Sequence, residues 1–493
     1  MSIKKLISQT ATYGMTTIIT RFFSYILTPY FTYLSLFSES MYGVMSYYYT
    51  VIPFGLTFLT LGFETGYFRF IGKSASEEDK KRLFNSLSTF ISLLSILFFV
   101  VITLFSDNIY SALGADKAGD IKIIPIVAAI IALDAITSLP FARLRAQGRV
   151  KRFMVVKVTN VLVYLLLSIF FYSALPYLSS KGILSSLWNE SFGVGYVFVA
   201  NLAASIITLL QLSRNIEGFR VNIDKKVVKS VFLFSLPLFI SSFSGTANEF
   251  ADRQMIYFLL PDSEATYQLG IYSAIMKLGA FIYLFTQMYR FAAEPYFLSE
   301  VKSSEFKDRN AEALKYFTIA SLAIFLFINL YIDYFQYFIG DKYRIGLPIV
   351  PIVLGSNLLF GVYVNLSYWY KVEEKTFIAI FISFAGLAVT ILLNFLLIPK
   401  LGYAGSAWSR LGCYGFIVII SYILNQKYMK TPYDIKSIGK YTALTLILFA
   451  LFNFIKFESL VVETIIATLF FIIFVAYFAY EERVLQRLRG RKR

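Results

Sequence analysis

Arg21, Arg253, Lys277, Arg290 and Arg410 each interrupt a long apolar run. A cation at the centre of a membrane helix costs about 2.5–3.5 kcal/mol on insertion scales, so it faces protein or water rather than lipid. Guanidinium groups match phosphate oxygens with paired donors. These five side chains are therefore read as the substrate-binding lining of a cationic lumen that takes an anionic cargo. The acids Glu64, Asp134, Glu249, Asp252 and Glu294 offset them in part. Glu249 with Arg253, and Arg290 with Glu294, stand four residues apart, so each pair is open to a plain intrahelical ion pair. Arg21, Lys277 and Arg410 have no opposite charge three or four residues away. Glu64, Glu249 and Asp252 are the candidates for binding a coupling ion, H+ or Na+, because burial tunes how readily a carboxylate takes a proton. Arg69 and Lys157 fall near span ends and are read as snorkelling to the surface.

Missing residue types prune the chemistry. The chain has no His and a single Cys, Cys413. Imidazole metal sites, His-based triads, thiolate metal sites and an internal disulfide are all excluded. No catalytic residue, metal site or cofactor is expected, and the chain is read as a non-enzyme.

The elements that must carry these charges are membrane helices. Of 493 residues, 57% are hydrophobic and only 15% charged, against about 45–50% and about 25% in soluble chains. Spanning a bilayer takes about 20 apolar residues, and fourteen candidate spans follow. They are 6–36, 41–70, 83–106, 121–142, 152–174, 190–213, 229–260, 267–299, 311–333, 345–370, 375–398, 403–426, 437–456 and 459–481. Lys4 and Lys5 precede the first apolar stretch, no small-residue cleavage site follows and Arg21 interrupts it, so it reads as a span rather than a cleaved signal peptide.

The net charge of +16 would point to nucleic acid in a soluble protein. Here it sits in alternate connections, among them Arg143 to Arg152, Lys302 to Lys315, Lys371 with Lys375, and Arg483 to Arg493. The intervening connections hold few basic residues, among them Lys117 and Lys342. By the positive-inside rule both termini are cytoplasmic and the span count is even.

Polar residues recur at helical spacing on particular spans. Span one has Thr10, Gly14, Thr17, Arg21, Ser24 and Thr28, and span two has Thr50, Pro53, Thr57, Thr60 and Glu64. Span seven carries Ser241, Gly245, Asn248 and Asp252, and span eight carries Gly270, Ser273, Lys277, Gln287 and Glu294. Such stripes line a lumen or pack helices together through small polar residues. Pro29, Pro53 and Pro237 are expected to bend these spans.

Spans two and eight open alike, Tyr42-Gly43-Val44-Met45-Ser46 against Leu269-Gly270-Ile271-Tyr272-Ser273, and the offset holds approximately onward. Six spans separate equivalents, so the halves share one orientation about a pseudo-twofold along the membrane normal, with a cavity at their interface. The expected fold class is an all-α polytopic membrane protein with 14 transmembrane helices. Residues 1–220 form an N-terminal six-helix bundle, 221–430 a C-terminal one, and 431–493 two extra helices with a basic tail.

The segments Ser8-Gln9-Thr10-Ala11-Thr12-Tyr13-Gly14 with Arg21, Tyr42-Gly43, and Glu64-Thr65-Gly66-Tyr67-Phe68-Arg69-Phe70 resemble the multidrug/oligosaccharidyl-lipid/polysaccharide exporter superfamily. So does Asn394 to Pro399 with Gly402, Gly405, Ala407 and Arg410. Within the superfamily the chain resembles the polysaccharide transporter branch of bacterial O-antigen and capsule flippases. The resemblance implies translocation of an undecaprenyl-pyrophosphate-linked oligosaccharide (O-antigen, capsule or exopolysaccharide repeat) across the cytoplasmic membrane by alternating access. It also implies membrane lipids as surroundings, with glycosyltransferases and a polysaccharide polymerase as partners, and no nucleic acid.

Rival readings are a lipid II flippase and a cation-coupled multidrug exporter of the same fold. An exporter of cationic drugs favours an acidic or neutral lumen. A membrane glycosyltransferase or polymerase is a further rival, and it needs outer carboxylates or a large outer loop. The first outer connection, Leu36 to Met41, supplies only Glu39.

Overall fold

A computed structural model describes residues 22–23, 25–74, 76–114, 117, 119–213, 221–299, 305–373, 375–455 and 457–482. Helix is the only regular structure among them. Thirteen of the described helical segments are long and apolar enough to cross a bilayer. The expected first span lies mostly outside the described residues, of which 25–33 are helical. Arg21 and the tail from 483 onward also lie outside them.

The principal helices are α1 (Glu39–Thr60), α2 (Phe63–Ile71), α3 (Glu77–Leu104), α4 (Ile123–Ala146), α5 (Val150–Ile169), α6 (Gly195–Ser213) and α7 (Lys225–Leu259). They continue as α8 (Asp262–Ser299), α9 (Phe306–Leu330), α10 (Val350–Leu366), α11 (Thr376–Leu401), α12 (Tyr403–Tyr428), α13 (Ile435–Phe454) and α14 (Leu460–Glu481). Several starts are written in side-chain oxygens that accept first-turn N–H groups. Ser38 accepts from Met41 N (3.2 Å) and Ser76 from Asp79 N (3.0 Å). Asp224 takes both Lys226 N (2.8 Å) and Val227 N (3.2 Å).

The expected bend at Pro53 does not break its span. Helix α1 runs through Pro53, and the interruption falls at Leu61–Gly62, both in the left-handed region (φ 50° and 69°). Pro237 likewise lies inside an unbroken α7. A proline removes one ladder bond that a neighbouring hydroxyl can replace, whereas two consecutive left-handed residues end the helical path itself.

The chain divides into two compact units, Met1–Ala274 with Phe377–Ser409, and Ile275–Thr376 with Arg410–Arg493. In the first, α4 packs against α3, α5 and α6. A close helix crossing in it joins α1 to α8 at Gly43 and Gly270. A Cβ on Gly43 would lie 1.8 Å from the Thr266 carbonyl oxygen, and one on Gly270 2.0 Å from that of Glu39. The two glycines read from the sequence as repeat equivalents thus face each other. In the second unit, α9, α13 and α14 enclose a core around Leu326, Tyr441, Leu448 and Phe474. Glu482, just beyond α14, is buried there and accepts from Lys315 Nζ and from Tyr316 (2.9 Å).

Candidate functional site

A cavity of about 560 Å³ opens inside the first unit, among α1, α2, α4, α5 and α6. Four helical stripes build it. Asp134, Ser138, Phe141 and Arg145 come from α4, and Phe153, Lys157 and Asn160 from α5. Asn201, Ser205 and Thr208 come from α6, while Thr57, Thr60 and Glu64 descend α1 into α2. Steps of three and four residues keep each set on one helix face. The break at Leu61–Gly62 carries Glu64 onto the short α2, where it pairs with Arg145.

Polar contacts bind the walls together. Ser205 Oγ donates to Asp134 Oδ1 at 2.8 Å, and Asn160 Nδ2 donates to Thr208 Oγ1 at 3.0 Å. The Lys157 ammonium sits over the Phe141 ring, 4.3 Å from its centroid. Arg145 lies 5.3 Å from the Phe68 centroid, and Phe141 and Phe153 meet edge to face at 5.4 Å. Beneath them Phe141, Leu144, Phe153, Val156 and Leu212 form a buried apolar floor. The lining holds two acids, Glu64 and Asp134, and two bases, Arg145 and Lys157.

Sequence reasoning places Glu64 on a polar stripe but puts Arg145 in a basic connection. It sends Lys157 to the surface; instead Lys157 is partly buried and lines the cavity. Arg69 does remain exposed, over the Phe234 ring at 4.2 Å. The signal that would have found the cavity is the shared spacing of Asp134/Ser138, Lys157/Asn160 and Ser205/Thr208 on spans four, five and six.

Asp252 anchors a second polar network in the first unit. It is 2% exposed and accepts from the Tyr272 hydroxyl at 2.7 Å. Its backbone carbonyl accepts from Ser406 (3.4 Å), whose hydroxyl also reaches Asn394 Oδ1 (2.9 Å). Thr390 in turn donates to Asn248, so α7 is bonded to both α11 and α12. The block around Asn394 and Gly402 singled out in the sequence forms this junction, with Gly402 at φ 59° turning the chain between helices. Arg253 and Glu249 are half-buried on α7, Arg253 lying 5.6 Å from the Phe250 ring centroid.

In the second unit Arg290 and Lys371 share one carboxylate. Arg290 Nε donates to Glu294 Oε2 at 3.1 Å, and Lys371 Nζ to Glu294 Oε1 at 2.7 Å. The sequence pattern assigns Lys371 to a connection, and only the packing of the Tyr368–Val372 helix against α8 brings it here. Tyr289 and Asn365 hydrogen-bond alongside. Arg410 is buried, its guanidinium 5.3 Å from the Tyr414 ring, and Lys277 is partly buried on α8. Among the described residues no group of three or more acids or Cys has metal-binding geometry.

Thirteen long apolar helices among the described residues, with charged clusters packed between them, define a class, that of multi-pass helical membrane proteins. The fold is that of the multidrug/oligosaccharidyl-lipid/polysaccharide exporter superfamily. It is similar to lipid II flippase MurJ in an inward closed conformation, with a TM-score of 0.72 at 17% identity over 95% of this chain and 99% of that one. It is also similar to a multidrug resistance MATE family transporter in its inward-facing conformation, with a TM-score of 0.59 at 15% identity over 88% and 97%. An outward-facing conformation of such a transporter gives 0.59 at 15% over 88% and 97%. Residues 6–299 match the family described as polysaccharide biosynthesis protein, and the chain belongs to that family, the polysaccharide transporter branch. None of the curated proteins compared with the sequence matches it. The solved structures whose fold it shares are those of a lipid II flippase and of multidrug transporters.

Proposed function

We propose that the protein is a flippase that moves an undecaprenyl-pyrophosphate-linked oligosaccharide from the inner to the outer leaflet of the bacterial cytoplasmic membrane. The cargo is an O-antigen, capsule or exopolysaccharide repeat unit, and transport is by alternating access coupled to H+ or Na+. The observation that carries this reading is the arrangement at Glu294. One carboxylate holds two cations, Arg290 and Lys371, leaving an excess positive charge. A phosphate group offers the same oxygens in greater number and charge, so it competes for both donors. Arg253 of the first unit, Lys277 and Arg410 of the second, and Arg21, which lies outside the described residues, are the further cations assigned to the cargo. The Asp252 network, with Glu64 and Glu249, supplies carboxylates suited to the coupling ion. Sugar-transferring enzymes supply the cargo and a polymerase consumes it.

A cationic-drug exporter fits less well, since Arg290 and Lys371 repel such a cargo. Native mass spectrometry of the purified protein tests the reading with the lipid-linked glycan, bare undecaprenyl phosphate and a cationic dye. Wild type is expected to retain the pyrophosphate glycan selectively. Arg290→Ala and Lys371→Ala each weaken retention roughly tenfold, the loss of one charge-assisted contact. Retention of the dye alone, indifferent to both substitutions, refutes it.

A further inference from the structure

We infer that the first-unit cavity is the subsite for the uncharged, polyhydroxylated part of the cargo, its sugar, and that Lys157, Asp134 and Asn160 read it. The inference rests on the flippase reading. A volume of about 560 Å³ falls within the roughly 300–1,000 Å³ of small-molecule sites and far exceeds what a coupling ion needs. With Glu64 and Asp134 balancing Arg145 and Lys157, the lining has no net charge. A phosphate entering here meets two carboxylates, and a cation meets an ammonium and a guanidinium. A ligand without net charge meets neither penalty.

The unfilled hydrogen-bond capacity is of both kinds. Among the described residues the Lys157 ammonium, with three donors, lies against the Phe141 ring and donates to no acceptor. The Nε of Arg145 is buried without a partner. Asp134 receives one hydroxyl, from Ser205, where a carboxylate accepts several. Hydroxyl and acetamido groups both donate and accept, so a sugar ring satisfies Lys157 and Asp134 at once. The Phe153 ring offers an apolar wall for its C–H face. A ligand rich in hydroxyls replaces the water bonds of these groups with bonds of the same kind, whereas an apolar ligand would strip them without replacement.

The test uses the full chain in lipid nanodiscs with the buried native thiol removed (Cys413→Ser) and a reporter thiol placed on one wall, Ser138→Cys. A second variant carries Thr60→Cys on the opposite wall, in case the first folds poorly. Alkylation rates are compared with three probes: the lipid-linked oligosaccharide extracted from a producing strain, the oligosaccharide released from it, and bare undecaprenyl diphosphate. Intact and released oligosaccharide are expected to slow alkylation, and the bare diphosphate is not. Lys157→Gln weakens the protection roughly tenfold, the loss of a charged donor, without changing retention of the bare diphosphate in the mass spectrometer. Equal protection by the bare diphosphate overturns the inference. So does a lipid-linked oligosaccharide that is retained by mass yet protects neither thiol, and that result leaves the flippase reading standing. Absence of retention by mass overturns both.

Discussion

Substituting Gly43 or Gly270 by alanine tests the α1–α8 crossing directly. A methyl at position 43 would sit 1.8 Å from the Thr266 carbonyl oxygen and one at 270 would sit 2.0 Å from that of Glu39. Ordinary contact begins near 3.4 Å, so the two backbones must part by about 1.5 Å, and neither carbonyl can swing aside without breaking its helix. Overpacking of this kind costs about 1–3 kcal/mol, at times more, while alanine returns up to about 1 kcal/mol of helix propensity. A clash of this depth against backbone lies at the upper end of that cost, so the net loss is about 2 kcal/mol, which in a large domain lowers the melting temperature by roughly 4–8 °C. Cys413 is buried and is the chain's single thiol, so a fluorogenic maleimide reports melting without further engineering. A methyl on Gly245 would meet nothing within 4 Å, and Gly245→Ala is the control that should hold or slightly raise the midpoint. The Gly43→Ala/Gly270→Ala pair should cost less than the sum of its parts, because one separation relieves both clashes. Melting midpoints for Gly43→Ala and Gly270→Ala that match the control would refute the crossing.

Lys117 is buried and binds Asp262 at 2.7 Å and the Tyr257 carbonyl at 3.1 Å. Lys117→Met should cost about 1–3 kcal/mol and quicken amide exchange around 253–262; unchanged exchange there contradicts the role. Glu482→Ala removes the buried partner of Lys315 and Tyr316 and should destabilise the second unit by about 3–5 kcal/mol. Glu482→Gln, which keeps the Tyr316 bond, should fall between it and wild type in a denaturation series. Asp434 caps α13 through Ser437, and hydrogen bonds from the Ser437 side chain and then its backbone hold the carboxyl below its ordinary range. A lowered folded value means that this stabilisation is complete above the unfolded pKa of about 3.9 and is lost as pH falls through the folded one. Below that window Asp434→Ala and wild type should melt alike, and above it the variant should be about 1 kcal/mol less stable; a gap that widens on acidification would reverse the assignment.

Much of the architecture was legible locally. The apolar runs, the alternation of basic connections and the lack of His and paired Cys need no long-range information, because each helix satisfies its own backbone in lipid. The Gly43 and Gly270 motifs were also visible, although only packing revealed that they touch. Pro53 illustrates the opposite case. Proline is a local signal for a bend, yet the helix runs on through Pro53 and is interrupted instead at Leu61–Gly62, where two consecutive residues are left-handed.

The charged groups mark where sequence reasoning runs out. Spacing along one helix offers Glu294 to Arg290, and the structure contains that pair, yet Glu294 is also held by Lys371, 77 residues on. Glu64 meets Arg145 across 81 residues, and Lys157 turns inward rather than out. A periodic pattern defines which residues share a face. It does not define how far each helix is rotated about its axis, or which neighbour that face meets. Those are settled when several helices pack at once, since each buried charge then takes whatever partner the joint packing brings within reach. From the sequence alone followed a polytopic membrane protein carrying costly charges; the tertiary structure decided which charges neutralise one another and where a cavity remains between them.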